Sequence, residues 1–252
     1  MLITTKQLLR GKPIKIEGVG TLISPTVGDI FDLSDNSNGV DKYSLYISIL
    51  EISFDKLVKL IRLEQFYDIV NENYTLFDLL ITSNKVRQIL IECLSFFIAE
   101  KIRFDKENLC FEVVDGNTII GQINSSNFEE LRVNLLRLNC ISSKIRKPLK
   151  FANKRAKEVY LQCQKGREEY EKTVAKSSSQ KQSLENLVSY VATKSNCYDF
   201  FNVWNLTIYQ FNELVVRLNL YNQLDTYTKR WATWGKDQFD FSSWYDNIEI
   251  LK

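Results

Sequence analysis

The residues that could carry chemistry in this sequence are few, and their spacing favours structural roles. The 252 residues include no histidine, which removes histidine-dependent acid–base catalysis, Ser–His and Cys–His nucleophile pairs and the commonest transition-metal ligand. Asp105 with Glu107, and Glu168 with Glu169, form two carboxylate pairs. Neither pair lies in the apolar setting that would raise a carboxyl pKa, so solvated side chains are expected. We therefore expect no enzyme, and assign no catalytic residue.

The cysteine spacing indicates thiols that are reduced and mostly buried. No CxxC motif occurs, and the five cysteines are separated by at least 17 positions, at Cys93, Cys110, Cys140, Cys163 and Cys197. Metal sites built from cysteine need close pairs of ligands. An odd number of widely spaced cysteines in apolar segments is typical of a reducing compartment. We expect no metal site and no cofactor.

One glycine-containing stretch raises the question of a phosphate-binding loop. The segment "IKIEGVGTLISPTVGDI" covers residues 14–30 and contains Gly18 and Gly20. A dinucleotide fingerprint needs three glycines between a buried strand and a helix, and a P-loop needs Gly-Lys-Ser/Thr. Here apolar and polar residues alternate on both sides of the glycines, which predicts a β-hairpin. Thr26 then begins a helix, with Asp29 as its capping-box partner.

A basic segment extends over residues 144–181. It contains twelve lysines and arginines and four glutamates, a net charge of +8, which leaves −6 for the rest of the chain. Small residues recur at helical spacing and predict a long basic helix at about 151–174. The candidate partner-binding residues in this segment are Lys150, Lys154, Arg155, Lys157 and Tyr160.

Two functions fit the basic segment. Clustered cations with Tyr160 and Tyr170 would suit phosphates and stacked bases. However, four glutamates share the helix, and the acidic remainder of the chain is an internal partner for it. We therefore favour a solvated or protein-docking helix and do not expect nucleic acid as the main partner.

The C-terminal part is rich in tryptophan, which is enriched at protein interfaces. Trp231, Trp234 and Trp244 lie within the last 22 residues. We expect Trp231 in the core. Trp234 and Trp244 are candidate partner-binding residues, for which a core position is equally compatible with the sequence.

Apolar periodicity predicts the elements that position these residues. Helices are expected at residues 41–52, from Asp55, from Thr75 or Asp78, from Ser83 at about 85–102, from Ser125 or Ser126 to about 139, at 184–193 and from a Thr207–Gln210 capping box. A second hairpin is expected near residues 110–123, around Asp115-Gly116-Asn117. The fold class is mainly α, with a helical body, a short N-terminal hairpin and this second hairpin.

Composition along the chain predicts three segments and no membrane association. Residues 1–143 form an N-terminal hairpin and helical domain, 144–181 the basic helix and a hinge at "KSSSQKQS", and 182–252 a C-terminal aromatic helical segment. The most apolar region, residues 89–102, is interrupted by Glu92, Ser95 and Glu100. Neither a membrane span nor a secretory signal is expected.

Both ends of the sequence resemble proteins encoded in the tail modules of bacteriophages of low-GC bacteria. At the N-terminus the resemblance lies in "GKPIKIEGVGTLISPTVGDI" and "KYSLYISIL". At the C-terminus it lies in "FFNVWNLTIYQFNELVVRL", a following Trp-Gly and "SSWYDNI". The middle of the chain does not share it. The motifs concerned are structural and carry no chemistry of their own.

The resemblance implies a non-enzymatic tail or baseplate assembly chaperone or scaffold. It would bind another tail protein, such as the tape-measure protein, in the bacterial host cytoplasm during phage assembly. One alternative is a structural virion component of the tail, baseplate or neck, which would place the chain in the virion. A second alternative is a nucleic-acid-binding protein that uses the basic helix.

Overall fold

The computed structural model describes residues 2–35, 41–63, 70, 73–141, 155, 162 and 183–235. The expected mainly α fold is confirmed. In this part of the chain the α-helices are α1 Thr5–Arg10, α2 Val27–Asp35, α3 Lys42–Glu51, α4 Phe54–Leu60, α5 Leu76–Thr82, α6 Asn84–Phe97, α7 Phe128–Leu138, α8 Leu184–Lys194 and α9 Ile208–Trp234. The strands are β1 Ile14–Ile16, β2 Gly20–Leu22, β3 Lys101–Asp105, β4 Cys110–Asp115 and β5 Thr118–Ile123.

The chain divides into two compact units. Residues 1–143 and 204–252 form the first, and residues 144–203 form the second. The sequence-based division at 143/144 and 181/182 stays a prediction. Arg155 and Gln162 are helical, and the rest of the predicted basic helix at about 151–174 lies outside the described residues.

The N-terminal hairpin forms as predicted. β1 and β2 pair antiparallel, with Ile14 opposite Leu22 and Ile16 opposite Gly20. Gly18 and Gly20 have φ angles of +74° and +126°, which residues with a Cβ adopt only with strain. The two glycines therefore serve the turn, and the hairpin interpretation of this stretch is confirmed.

The second strand of the hairpin also pairs antiparallel with the chain at the end of α6. The amide of Ile23 donates to Phe97 O, and the amide of Ala99 donates to Thr21 O, both at 2.9 Å. The sequence-based prediction of a helix to about residue 102 is therefore wrong, because Ile98 is extended and β3 begins at Lys101. Tertiary pairing with β2 overrides the helical pattern of this apolar stretch.

The second hairpin forms as predicted and gains a third strand. The sheet has the order β3-β4-β5, with Arg103 opposite Glu112. These two side chains form an ion pair at 2.6 Å in which Glu112 is almost buried. β3 was not predicted, because its first two residues were assigned to the preceding helix and Arg103–Asp105 to no element.

Two of the predicted helix starts are wrong. Ser53, and not Asp55, caps α4, where its hydroxyl accepts from the Lys56 amide at 3.3 Å. Asn127, and not Ser125 or Ser126, is the N-cap of α7, and it makes no side-chain cap hydrogen bond. In both cases the competing polar residues stand within two positions of each other, so local sequence does not choose between them.

The core of the first unit lies between the helices and the inner face of the three-stranded sheet. The ring of Phe77 meets that of Phe111 edge to face, with centroids 5.7 Å apart, and that of Phe128 at 5.2 Å. The apolar spacing predicts Leu131, Leu135 and Leu138 on the core face of α7, and all three are buried. Other buried side chains are Leu8, Leu22, Leu50, Leu57, Leu80, Leu90 and Phe97. Burial of this apolar surface is the main stabilising term of the fold.

The described part of the second unit contains α8, as predicted, with Val188 and Val191 buried. A turn follows in which Asp199 Oδ1 accepts from the Phe201 and Asn202 amides, and Asn202 Oδ1 accepts from the Asp199 amide at 2.9 Å.

The helices described here include none that is both long and apolar enough to cross a membrane.

Candidate protein-docking surface

The first half of α9 is fixed to the first unit by backbone pairing. The amide of Val27 donates to Leu206 O, and the amide of Ile208 donates to Pro25 O, both at 2.9 Å. Thr207 caps the helix, with its hydroxyl accepting from the Gln210 amide and Gln210 Oε1 accepting from the Thr207 amide. The predicted capping box is confirmed, and it sets the direction in which α9 leaves the body of the unit.

Side chains complete this anchor. The apolar spacing predicts Ile208, Phe211, Val215 and Leu218 on the core face of this helix. The first three are buried, as is Tyr209, and Leu218 is half-buried. Gln210 Nε2 donates to Leu9 O at the end of α1, at 2.8 Å. The first two turns of α9 are therefore part of the core.

The second half of α9 is mostly exposed and carries an apolar and aromatic stripe, of which the two leucines are half-buried. Leu220, Leu224, Tyr227 and Trp231 follow one another at spacings of four, three and four, which places them on one helix face. Tyr227 is 44% and Trp231 is 54% exposed. Tyr221, beside the stripe, is 58% exposed. We call residues 219–231 the aromatic helix end.

The polar side chains around the stripe are satisfied within the helix. Lys229 pairs with Asp225 at 2.6 Å, and a hydrogen bond from the lysine to this carboxylate raises the Lys229 pKa. The hydroxyls of Thr226 and Thr228 donate to the carbonyls of Asn222 and Leu224, each at 2.8 Å. The stripe therefore offers a partner aromatic surface that is bordered by internally paired polar side chains.

This arrangement suits protein binding. Tyrosine and tryptophan give large contact areas with little loss of side-chain entropy, and both are enriched at interface hot spots. A stripe with heptad-like spacing matches the apolar face of another amphipathic helix. Within the described residues no cluster of cysteine, aspartate and glutamate is arranged to hold a metal ion.

The structure describes few of the predicted site residues. Arg155 is exposed on a helical turn. Trp234 is the last residue of α9. Lys150, Lys154, Lys157, Tyr160 and Trp244 lie outside the described residues. The predicted core position of Trp231 is wrong, because the helix carries it beyond the body of the unit.

Sequence reasoning missed Tyr221, Tyr227 and an aromatic pair in the second unit. The helix face was followed only to Leu218, although the apolar spacing of four, three and four continues beyond it. Phe200 and Phe201 are 51% and 91% exposed in the turn held by Asp199. The signal for that turn was the Asp-x-x-Asn pattern, in which each side chain caps the other residue's backbone.

One comparison with known proteins finds a family. No curated protein and no solved structure matches this chain. Residues 175–249, which include α8 and α9, match the family model of the YomV second domain. YomV is the product of a Bacillus phage gene, so this part of the chain, which carries the aromatic helix end, is similar to a domain of a phage protein.

Proposed function

We propose that this chain is a non-enzymatic phage assembly protein that acts as a tail or baseplate chaperone or scaffold. It binds another tail protein, with the tape-measure protein as the leading client, in the host cytoplasm during assembly. The observation that carries the proposal is the aromatic helix end. An exposed stripe containing Tyr227 and Trp231 projects from an anchored helix, within the region similar to a phage protein domain.

The mechanism follows from how α9 is built. Its first half is fixed by the Thr207 capping box and by pairing with residues 25–27, so the second half is presented without an ordering cost in its own backbone. An amphipathic helix of the client packs its apolar face along Leu224, Tyr227 and Trp231. This covers surface on the client that would otherwise aggregate. The net charge of residues 144–181 adds steering toward an acidic client.

The test is co-expression of the chain with individual tail proteins, followed by pull-down. The variant Tyr227→Ala/Trp231→Ala removes the stripe while alanine preserves helix propensity. The control Asn222→Ala/Lys229→Ala changes residues seven positions apart on the opposite face. We expect a tail protein to be retained by the wild type and the control, and to be reduced at least tenfold with the stripe variant.

Two results would overturn the proposal. Retention of no tail protein by the wild type, or equal retention by both variants, would show that the aromatic helix end does not bind a client. Mass spectrometry of purified virions separates the alternatives further. A stoichiometric amount of the chain in virions would replace the chaperone role with that of a structural component.

A further inference from the structure

A cavity of about 420 Å³ lies in the first unit beside β1, remote in sequence from the aromatic helix end. Its walls come from the N-terminal segment, from the hairpin and from the first turns of α7. Val19 and Leu131 are buried apolar residues at this site. This volume lies within the range of about 300–1,000 Å³ that is usual for ligand pockets.

The cavity follows the edge of β1 and not one face of it. Ile14, Lys15, Ile16 and Glu17 all line it. Successive side chains of a strand point to opposite faces, so a cavity bordered by all three residues of β1 and by Glu17 in the turn extends along the strand's edge. The other edge of β1 is occupied by β2. The cavity is therefore a groove beside the outer edge of the hairpin.

The hydrogen-bond pattern shows which backbone groups face this groove. Thr21 lies opposite Lys15. Its amide donates to Glu100 Oε2 at 2.8 Å, and its carbonyl accepts from the Ala99 amide. Both groups of Thr21 thus point away from β1, so Lys15 and Thr21 are a non-hydrogen-bonded pair. The amide and carbonyl of Lys15 must point outward as well, and no other group in the described part of the chain bonds to them.

We propose that the outer edge of β1 is a strand-addition site, at which an extended peptide segment of a partner protein pairs with Lys15 and places an apolar side chain in the groove. An outward amide and carbonyl on one residue match the backbone of an added strand. The groove beside it gives the apolar pocket that fixes register. This site does not depend on the proposed function, because it uses neither α9 nor the basic segment.

The charges at the groove define the partner segment further. The described lining includes Lys15 and the carboxylates Glu17 and Glu130, and Lys15 also acts on the Glu100 carboxylate outside this lining. The preferred occupant therefore alternates apolar and polar residues and carries a lysine or arginine that pairs with Glu17. Charge of this kind selects the partner and its direction more than it raises affinity.

The experiment is selection of heptapeptides from a random displayed library against the whole chain. The best peptide is then synthesised with a fluorescein label, and its binding is measured by fluorescence polarisation. Two matched pairs test strand addition. Lys15→Pro removes the outward amide, whereas Lys15→Ala keeps it. N-methylation of alternate peptide residues removes the donors that face β1 in one analogue and those that face solvent in the other.

We expect Lys15→Pro to weaken binding at least tenfold and Lys15→Ala to leave it within threefold. One N-methylated analogue should lose at least tenfold and the other should bind as the parent does. The peptide analogues keep the test decisive if Lys15→Pro impairs folding. Enrichment of no alternating peptide, or equal binding of both analogues, would overturn the proposal. Self-association of the chain that Lys15→Pro abolishes would replace the partner with a second copy.

Discussion

The carbonyl oxygen of Gly18, in the turn of the N-terminal hairpin, accepts a 2.9 Å hydrogen bond from the backbone amide of Gln122 in β5. The two residues are far apart in sequence, and the bond joins the hairpin to the edge of the three-stranded sheet. Such an approach is possible because Gly121 has no side chain. A Cβ at Gly121 would lie 2.8 Å from Gly18 O and 2.9 Å from Gly18 C.

Gly121→Ala is therefore expected to lower the free energy of unfolding by about 1–3 kcal/mol, the usual cost of overpacking a tight contact. Urea unfolding followed by circular dichroism measures this change. The control is Gln122→Ala, which removes an exposed side chain but keeps the amide that donates to Gly18. The control should stay within about 0.5 kcal/mol of the wild type. Equal stability of Gly121→Ala and Gln122→Ala would contradict the close contact.

Glu100 gives the hairpin junction a dependence on pH. Burial acts to raise its pKa, but hydrogen bonds from Thr21 outweigh burial, and the pKa of Glu100 is lowered below its ordinary value of 4.5. A carboxyl with a lowered pKa in the folded state stabilises the protein above its unfolded pKa. This stabilisation is lost as the pH falls through the folded pKa.

Glu100→Gln should therefore be less stable than the wild type at pH 7 and should lose less stability on acidification below pH 4.5. Urea unfolding at pH 7, 5, 4 and 3 gives the difference between the two proteins. Asp105, whose pKa is also lowered, chiefly by hydrogen bonding to Asn108, is present in both proteins and cancels in this difference. A constant difference from pH 7 to pH 3 would show that the Glu100 carboxylate does not stabilise the junction.

Thr207 contributes its hydroxyl to the start of α9. Thr207→Ala removes the acceptor of the Gln210 amide and should lower the free energy of unfolding by about 0.5–2 kcal/mol. Thr207→Ser keeps the hydroxyl and should recover most of this loss. Chemical denaturation of the three proteins provides the comparison. If serine and alanine gave the same stability, capping would not be the cause.

Two aromatic residues on α9 should respond oppositely to truncation. Phe211 is fully buried, so Phe211→Ala should cost about 3–5 kcal/mol of unfolding free energy. Trp231 is 54% exposed, so Trp231→Ala should change stability by no more than about 0.5 kcal/mol. Thermal and urea unfolding of both variants measure the contrast. A large loss for Trp231→Ala would place this residue in a packed interior and remove the basis for a docking surface.

The thiols should fall into two kinetic classes in the variant Cys163→Ser. Cys197 is exposed, whereas Cys93, Cys110 and Cys140 are buried thiols that form no disulfide. Burial also raises the pKa of the Cys93 thiol, which lowers its reactive thiolate fraction. A thiol reagent at pH 8 should label one residue rapidly and the other three only upon unfolding. Adding Cys197→Ser should abolish the rapid phase, and its persistence would mean that a core thiol is accessible.

Several elements were predictable because their causes lie within a few residues. Thr26 with Asp29 and Thr207 with Gln210 were expected as capping pairs, and each pair forms its cap hydrogen bonds. Thr75 or Asp78 was expected at a helix start, and Thr75 is the N-cap, with its hydroxyl accepting from the Asp78 amide. The alternation of apolar and polar residues, with glycine at the turns, predicted both hairpins. Such local preferences act before any tertiary contact forms.

The exposure of the stripe could not be predicted from the sequence, because the burial of a helix face depends on how far the neighbouring elements extend along it. The spacing of Leu224, Tyr227 and Trp231 is the same whether a helix lies in the core or projects from it. The expected core position of Trp231 was wrong for this reason. Backbone hydrogen bonds from Val27 to Leu206 and from Ile208 to Pro25 fix only the first half of α9. Trp231, in the second half, is therefore exposed.

The sequence by itself determined the mainly α composition, the two hairpins, the capped helix starts and the absence of histidine chemistry, because each depends on residue type and short-range spacing. Only the tertiary structure decided that α6 ends at Phe97, so that the residues after it pair with β2 and β4. It also decided that Lys15 faces a groove and that the aromatic helix end is exposed. These features depend on contacts between distant segments, whose burial and hydrogen bonding outweigh the weaker local preferences.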